Sequence, residues 1–183
     1  ILLKPNGVAT FEFPHLLKLV NENQFDTIYH EHFSYLSLTA LETIFKENGL
    51  QIFDVEEHTT HGGSLRLFAQ RSDTGVQIVS EQVIKLRKRE MDAGMDSDNF
   101  YKNFQEKANI VKDDLLNFLI KAKQDGKKVV AYGAAAKGNT LLNYAGIRPD
   151  LLSYVVDKSP SKQGKYMPGS RIPIHTEQFL KDD

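Results

Sequence analysis

The chain has 183 residues, 23 basic and 24 acidic side chains for a formal net charge of -1, and 40% hydrophobic content. That balance excludes collagenous, disordered and disulfide-scaffold classes. It leaves no electrostatic footprint for nucleic acid or a membrane surface. Zero cysteines exclude disulfides, thiolate zinc sites, iron–sulfur clusters and cysteine nucleophiles together, and they fit a reducing, cytoplasmic setting.

The chain opens on Ile1-Leu2-Leu3-Lys4-Pro5, apolar from its first residue and without the basic region or cleavage site of a signal peptide. We expect a fragment of a longer protein, cut inside or beside a sheet. Gly7 to Phe13 predicts a strand after a Pro-Asn-Gly turn. Pro14 fits the first turn of a helix running through His15 to Asn21. Residues 25–37 (FDTIYHEHFSYLS) are dense in aromatics and histidines and match neither helical nor strand period. Thr39-x-x-Glu42 has capping-box spacing, and the helix it opens should stop at Asn48-Gly49. Gln51 to Glu57 and Ser64 to Gln70 predict two strands, with Leu65, Leu67 and Ala69 alternating in the second.

Helical patterning continues from Val76 to Met91, and the charged run Lys85 to Glu90 reads as its solvated face. Phe100, Phe104, Ala108, Val111, Leu115, Phe118 and Ala122 then recur at three- and four-residue steps. They predict one long amphipathic helix ending at Asp125-Gly126. Beyond it lies an α/β signature. Lys128 to Tyr132 reads as a buried strand, Gly133 to Asn139 leads into a helix ending near Ala145-Gly146, and Leu152 to Val156 reads as a second strand ending in Asp157. Arg171 to Ile174 suggests a third strand, and Thr176 caps a final helix. The fold class is α/β, laid out as 1–91, a connecting helix over 92–126, and a small Rossmann-like unit over 127–183.

Three constellations could carry chemistry. In Tyr29-His30-Glu31-His32, an imidazole can move a proton near neutral pH, a carboxylate can raise its basicity, and a phenol can donate to an oxyanion. Two other readings stand beside that one: a metal pair of His30 and His32 with His58 or His61, for which no third ligand has a recognised spacing, and plain surface polarity. In His61-Gly62-Gly63-Ser64-x-Arg66, paired glycines let a backbone approach a ligand, and Arg66 can clamp a phosphate or carboxylate. The competing reading is a Gly-Gly turn with Arg66 on an exposed strand face. Gly133-Ala134-Ala135-Ala136-Lys137-Gly138 matches G-x-G-x-x-G with Ala135 in the middle place, and Asp157 stands where a ribose-binding acid would. A methyl at Ala135 crowds the backbone approach, and Lys137 precedes Gly138, so the loop is not a Walker A sequence. It is either a phosphate cradle at a helix N-terminus or a tight turn that binds nothing.

These residues resemble a family. Residues 2–8 (LLKPNGV) are similar to the segment leading into the last strands of S-adenosylmethionine-dependent methyltransferase domains. Residues 25–35 resemble the active-site segment of the sugar-nucleotide C-methyltransferases. Gly62-Gly63-Ser64-Leu65-Arg66, residues 132–138 (YGAAAKG) and Val156-Asp157 resemble the same family's later blocks. The resemblance implies the end of a methyltransferase domain followed by a Rossmann-like C-terminal domain. It implies zinc in an N-terminal domain and S-adenosylmethionine as cofactor, the loop that binds it having no counterpart here. His32 matches the general base, with Tyr29 and Glu31 as companions. A 4-keto sugar has an acidic C3–H, so a base can remove that proton while donors hold the enolate. The implied partner is a nucleotide-linked sugar, with Gly62, Gly63, Arg66, Gly133, Lys137 and Asp157 as candidate substrate-binding residues. No metal, nucleic acid or membrane partner is expected. Two other functions compete: a non-catalytic nucleotide or nucleotide-sugar binding module, and a fragment of an NAD-dependent oxidoreductase, which Ala135 disfavours.

Overall fold

The computed structural model describes residues 3–182, the side chains of His61 and Asp182 excepted. The apolar opening Ile1-Leu2 lies outside the described residues. The chain divides into two compact units: Ile1–Phe25 with His32–Phe104, and Asp26–Glu31 with Gln105–Asp183.

The first unit contains β1 (Val8–Pro14), α1 (Leu16–Asn21), α2 (Leu38–Glu47), β2 (Leu50–His58), β3 (Ser64–Arg71), α3 (Glu81–Asp92) and the short α4 (Asp98–Tyr101). Its sheet has the order β1-β3-β2 with antiparallel pairing throughout. The predicted alternation in β3 holds. Leu65, Leu67 and Ala69 are fully buried on one face, against Leu38, Leu41 and Phe45 of α2 and Val83 and Leu86 of α3.

Four expectations for this unit need correction. Pro14 ends β1, and His15 stands before the first turn of α1. Ser37, not Thr39, caps α2, its hydroxyl accepting from Ala40 N at 3.1 Å; Glu42 holds Arg87 instead of closing a capping box. Helix α3 starts at Glu81, not near Val76, because the Gln70 side chain exchanges two hydrogen bonds of 2.8 Å with the Gln77 backbone and holds that segment extended. Glu90 belongs to no solvated face. It is 1% exposed.

The buried Glu90 carboxylate joins three elements. Oε1 accepts from Leu38 N and lies against His15 Nε2, both at 2.8 Å. Oε2 accepts from Thr39 N at 2.9 Å and the Thr39 hydroxyl at 2.6 Å. An anion at the N-terminus of α2 satisfies donors that the helix itself cannot. Burial opposes ionisation of Glu90, but the bonds from His15, Thr39 and Leu38 outweigh it and hold the group below its ordinary 4.5.

The second unit contains α5 (Phe104–Gln124), β4 (Ala131–Tyr132), α6 (Ala136–Tyr144), β5 (Val155–Val156), β6 (Ile174–His175) and α7 (Phe179–Asp182). The expected long helix is interrupted at Lys102-Asn103, so α5 starts at Phe104. The sheet is parallel in the order β4-β5-β6, and α6 makes the crossover from β4 to β5. Its core is Leu119, Ile147, Leu152, Val155, Met167, Ile172 and Ile174. Only Ala131 and Tyr132 of the expected strand enter the ladder, and Tyr132 is exposed at the sheet edge. The third strand begins only at Ile174: Arg171 adopts φ +59°, outside the strand region, and Pro173 has no N–H to give a ladder. Among the described residues, no helix is long and apolar enough to cross a membrane.

Candidate active site

The loop between β4 and α6 is set by its backbone. Gly133 has φ +95°, and a Cβ there would meet nothing within 4 Å, so the requirement is conformational, not steric. Gly133 N donates to Val156 O at 2.7 Å and fixes the loop to β5. Asp157 then ties two turns together. Its Oδ2 accepts from Ala134 N at 2.7 Å and its Oδ1 from Ser159 N at 2.8 Å. Lys162 Nζ donates to Ala134 O at 2.8 Å and lies 3.4 Å from Asp157 Oδ2. The backbone N–H groups of Ser159 and Ala134, helped by Lys162, hold the Asp157 carboxyl below its ordinary value. Ala135 stands at the N-cap of α6 and has no side-chain oxygen, so the helix lacks a side-chain N-cap hydrogen bond.

This loop walls a cavity of about 470 Å³. Ala134, Ala135 and Ala136 line it with Asn139 and Thr140 of α6, and Ser161, Lys162 and residues 165–168 supply another wall. Tyr29, His30 and Glu31 line it as well. They follow a 3₁₀ turn at Phe25–Thr27, with Tyr29 N donating to Thr27 O at 3.1 Å and the Tyr29 and His30 rings edge-on at 6.0 Å. Two constellations a hundred residues apart in sequence thus border one space. His32 falls in the first unit and is half-buried. Lys137, Gly133 and Asp157 support the loop and are not among the lining residues.

The Gly62-Gly63 pair belongs to the first unit, where it borders a separate cavity of about 460 Å³ with Lys18, Glu57, His58 and Arg89. Both glycines have positive φ, and a Cβ on Gly63 would come within 3.1 Å of Lys18 Cγ. Arg66 does not reach that cavity. It stands between its register partners Glu12 and Glu56 at 2.8 and 3.2 Å, a cross-strand ion network on the exposed face. Among the described residues, no group of three or more histidine, aspartate or glutamate side chains is placed to hold a metal ion.

A family model of the C-methyltransferase C-terminal domain matches residues 59–183. The chain belongs to the C-methyltransferase family. It is 38% identical over 173 residues to "C-methyltransferase NovU" of Streptomyces niveus, a match covering 94% of this chain and 41% of that protein. The chain therefore spans about two-fifths of the length of the curated relative it matches. The family resemblance carried by residues 25–35 and 132–138 is borne out at that level.

In this C-methyltransferase chain, sequence reasoning missed Lys162, Lys165 and Tyr166 as neighbours of the glycine loop. A signal existed. Ser159-Pro160-Ser161 directly after a strand predicts a turn back over the sheet, which brings the following lysines toward the strand's carboxyl end. Nothing in the sequence paired His15 with Glu90, 75 residues apart.

Proposed function

We propose that this chain is the C-terminal portion of an S-adenosylmethionine-dependent C-methyltransferase acting on a nucleotide-linked keto-sugar, in the cytoplasm. The end of the methyltransferase domain spans 1–91, the helical connector 92–126 and a Rossmann-like domain 127–183. The observation that carries this reading is the single cavity bordered by Tyr29 and Glu31 together with the N-terminal end of α6. It offers acid–base groups and a place for an anionic substrate in one space.

The reaction begins at the carbon next to the ketone. His32, one residue beyond Glu31, accepts its proton as a neutral imidazole, and the electrons pass into the ketone oxygen. An ionised carboxylate is an acceptor only, so the donor to the enolate oxygen is the Tyr29 hydroxyl, and Glu31 stabilises the imidazolium. S-adenosylmethionine supplies the electrophilic methyl group. The described residues do not fit that cofactor: β1 runs through Pro14 into buried His15 and α1, with no glycine-rich loop after it. Its site is assigned to the remainder of the longer protein, as is the zinc that the family resemblance implies. Gly62, Gly63 and Arg66, which the family resemblance also implies as substrate-binding residues, belong to the first unit, where the glycines border a cavity of its own. Gly133 and Asp157 shape the loop at the phosphate end, and Lys137 supplies positive charge there.

Proton exchange tests the base without the methyl donor. In D₂O, the full-length protein should exchange the proton next to the ketone of a nucleotide-linked 4-keto sugar, read by NMR. His32→Asn should slow this by about 10²–10⁴-fold. Exchange at the wild-type rate in that variant would remove His32 as the base.

A further inference from the structure

The cavity of the second unit carries side chains that the proposed proton chemistry leaves unused. Tyr166 is the largest of them. Its ring borders the cavity and is 66% exposed, yet its backbone is fixed on every side. Met167 N donates to Ile172 O and Ile174 N to Lys165 O, both at 2.8 Å, and Gly164 N donates to Ile174 O at 2.9 Å. Tyr166 itself sits opposite Pro173 in an antiparallel bridge. Met167 and Ile172 anchor this hairpin in the core, at 3% and 0% exposure. A rigid hairpin thus holds a flat aromatic ring out of the protein and along a cavity wall.

The polar groups around it are divided in use. Lys162 is committed to Ala134 O and Asp157. Lys165, next to Tyr166 and lining the same cavity, forms no ion pair among the described residues. Across the cavity, the side-chain oxygen of Asn139 accepts from Asn143 Nδ2 at 3.2 Å. Its amide nitrogen has no partner among the described residues. A preset aromatic face loses little conformational freedom when a planar ring stacks on it, and a lysine beside that face selects a ring that carries an anion. The matching chemistry is a heteroaromatic base joined to phosphate.

We infer that Tyr166 is the stacking platform for the base of a nucleoside diphosphate, with Lys165 on its phosphate and the Asn139 amide facing a polar edge of the ligand. This makes Tyr166 a substrate-positioning residue, and it rests on the proposed nucleotide-linked substrate. It also separates the group that recognises the base from the loop at Gly133 to Gly138, which recognises phosphate.

Calorimetry on the 183-residue chain tests it with uridine, thymidine and adenosine diphosphates and with inorganic pyrophosphate. At least one nucleoside diphosphate should bind tenfold or more tighter than pyrophosphate. Tyr166→Ala should weaken that nucleotide by about 10–100-fold, the scale of one base–aromatic stack, and leave pyrophosphate unchanged. Tyr166→Phe should keep the wild-type affinity, and Lys165→Ala should weaken both probes. Nucleotide affinity unchanged in Tyr166→Ala, or pyrophosphate as tight as every nucleotide, would overturn the inference while leaving the methyl-transfer reading intact. Absence of binding by all four probes would overturn the inference and the nucleotide part of that reading together. Loss of the His32-dependent proton exchange, with the Tyr166 effect present, would remove only the reaction. If Tyr166→Ala fails to fold, saturation-transfer NMR on the wild type decides: transfer strongest at the base protons supports the platform, and transfer confined to the ribose overturns it.

Discussion

Glu90 is the side chain whose removal should cost the first unit most. Glu90→Ala deletes the acceptor for Leu38 N, Thr39 N and the Thr39 hydroxyl and leaves the 1%-exposed His15 ring without its carboxylate. Breaking a buried, hydrogen-bonded pair of this kind costs about 3–5 kcal/mol. Glu90→Gln keeps the shape and one acceptor but turns the other end into a donor facing donors, which should cost about 1–3 kcal/mol. Urea unfolding followed by circular dichroism measures both. The pH dependence has a definite sign. The native carboxyl lies below its ordinary 4.5, so its contribution is fully present above that value and is lost as pH falls through the native pKa. The gap between wild type and Glu90→Gln should narrow as pH falls below 4.5. A Glu90→Ala protein within about 1 kcal/mol of wild type, or a gap that widens in acid, would refute the account.

Two further outcomes follow from the second unit's cavity. Tyr29→Phe in the full-length protein should lower kcat by about 10²–10³-fold if the phenol holds the enolate oxygen; an unchanged kcat in steady-state assays would take Tyr29 out of the chemistry. Gly133→Ala should destabilise by about 1–2 kcal/mol through its left-handed backbone alone, since a Cβ there meets no neighbour within 4 Å. Thermal unfolding checks this, and an alanine variant as stable as wild type would show that the loop tolerates another backbone conformation.

What the sequence made legible was local. The alternation of Leu65, Leu67 and Ala69 is visible because one face of β3 is buried and the other is not. The Tyr29-His30-Glu31-His32 cluster and the Gly133 loop are contiguous strings, so their composition alone marks them. Glu90 was illegible for the opposite reason. Inside a run of lysines and arginines, nothing local distinguishes the one acid that turns inward to meet a helix end 52 residues earlier. The same holds for Ser37 against Thr39. Both are good N-cap residues, and the choice was made by Glu90, which takes the Thr39 hydroxyl and leaves Ser37 to cap. Val79, Val83, Ile84 and Leu86 fit a helical pattern that the sequence lets run back to Val76, but a side-chain amide from the neighbouring strand outcompeted the helix for the Gln77 backbone.

Asp157 shows how a motif can be present while its usual role is displaced. An acid at the end of the second strand of such a unit ordinarily offers its oxygens to a ribose. Here both oxygens already accept backbone N–H groups at 2.7 and 2.8 Å, with Lys162 beside them, and the residue is 9% exposed. A ribose hydroxyl would have to displace a charge-assisted bond that fixes the very loop it approaches, exchanging one hydrogen bond for another and loosening the wall. The charge of Asp157 therefore serves geometry: it sets where Ala134 and the start of α6 stand, and it draws Lys162 out of contention as a ligand. The groups left facing the cavity are those that the clamp does not consume, Lys165 and Tyr166 on one wall and Asn139 on the other. Recognition has moved from the strand end to the hairpin, a shift that a fingerprint built on strand ends cannot register.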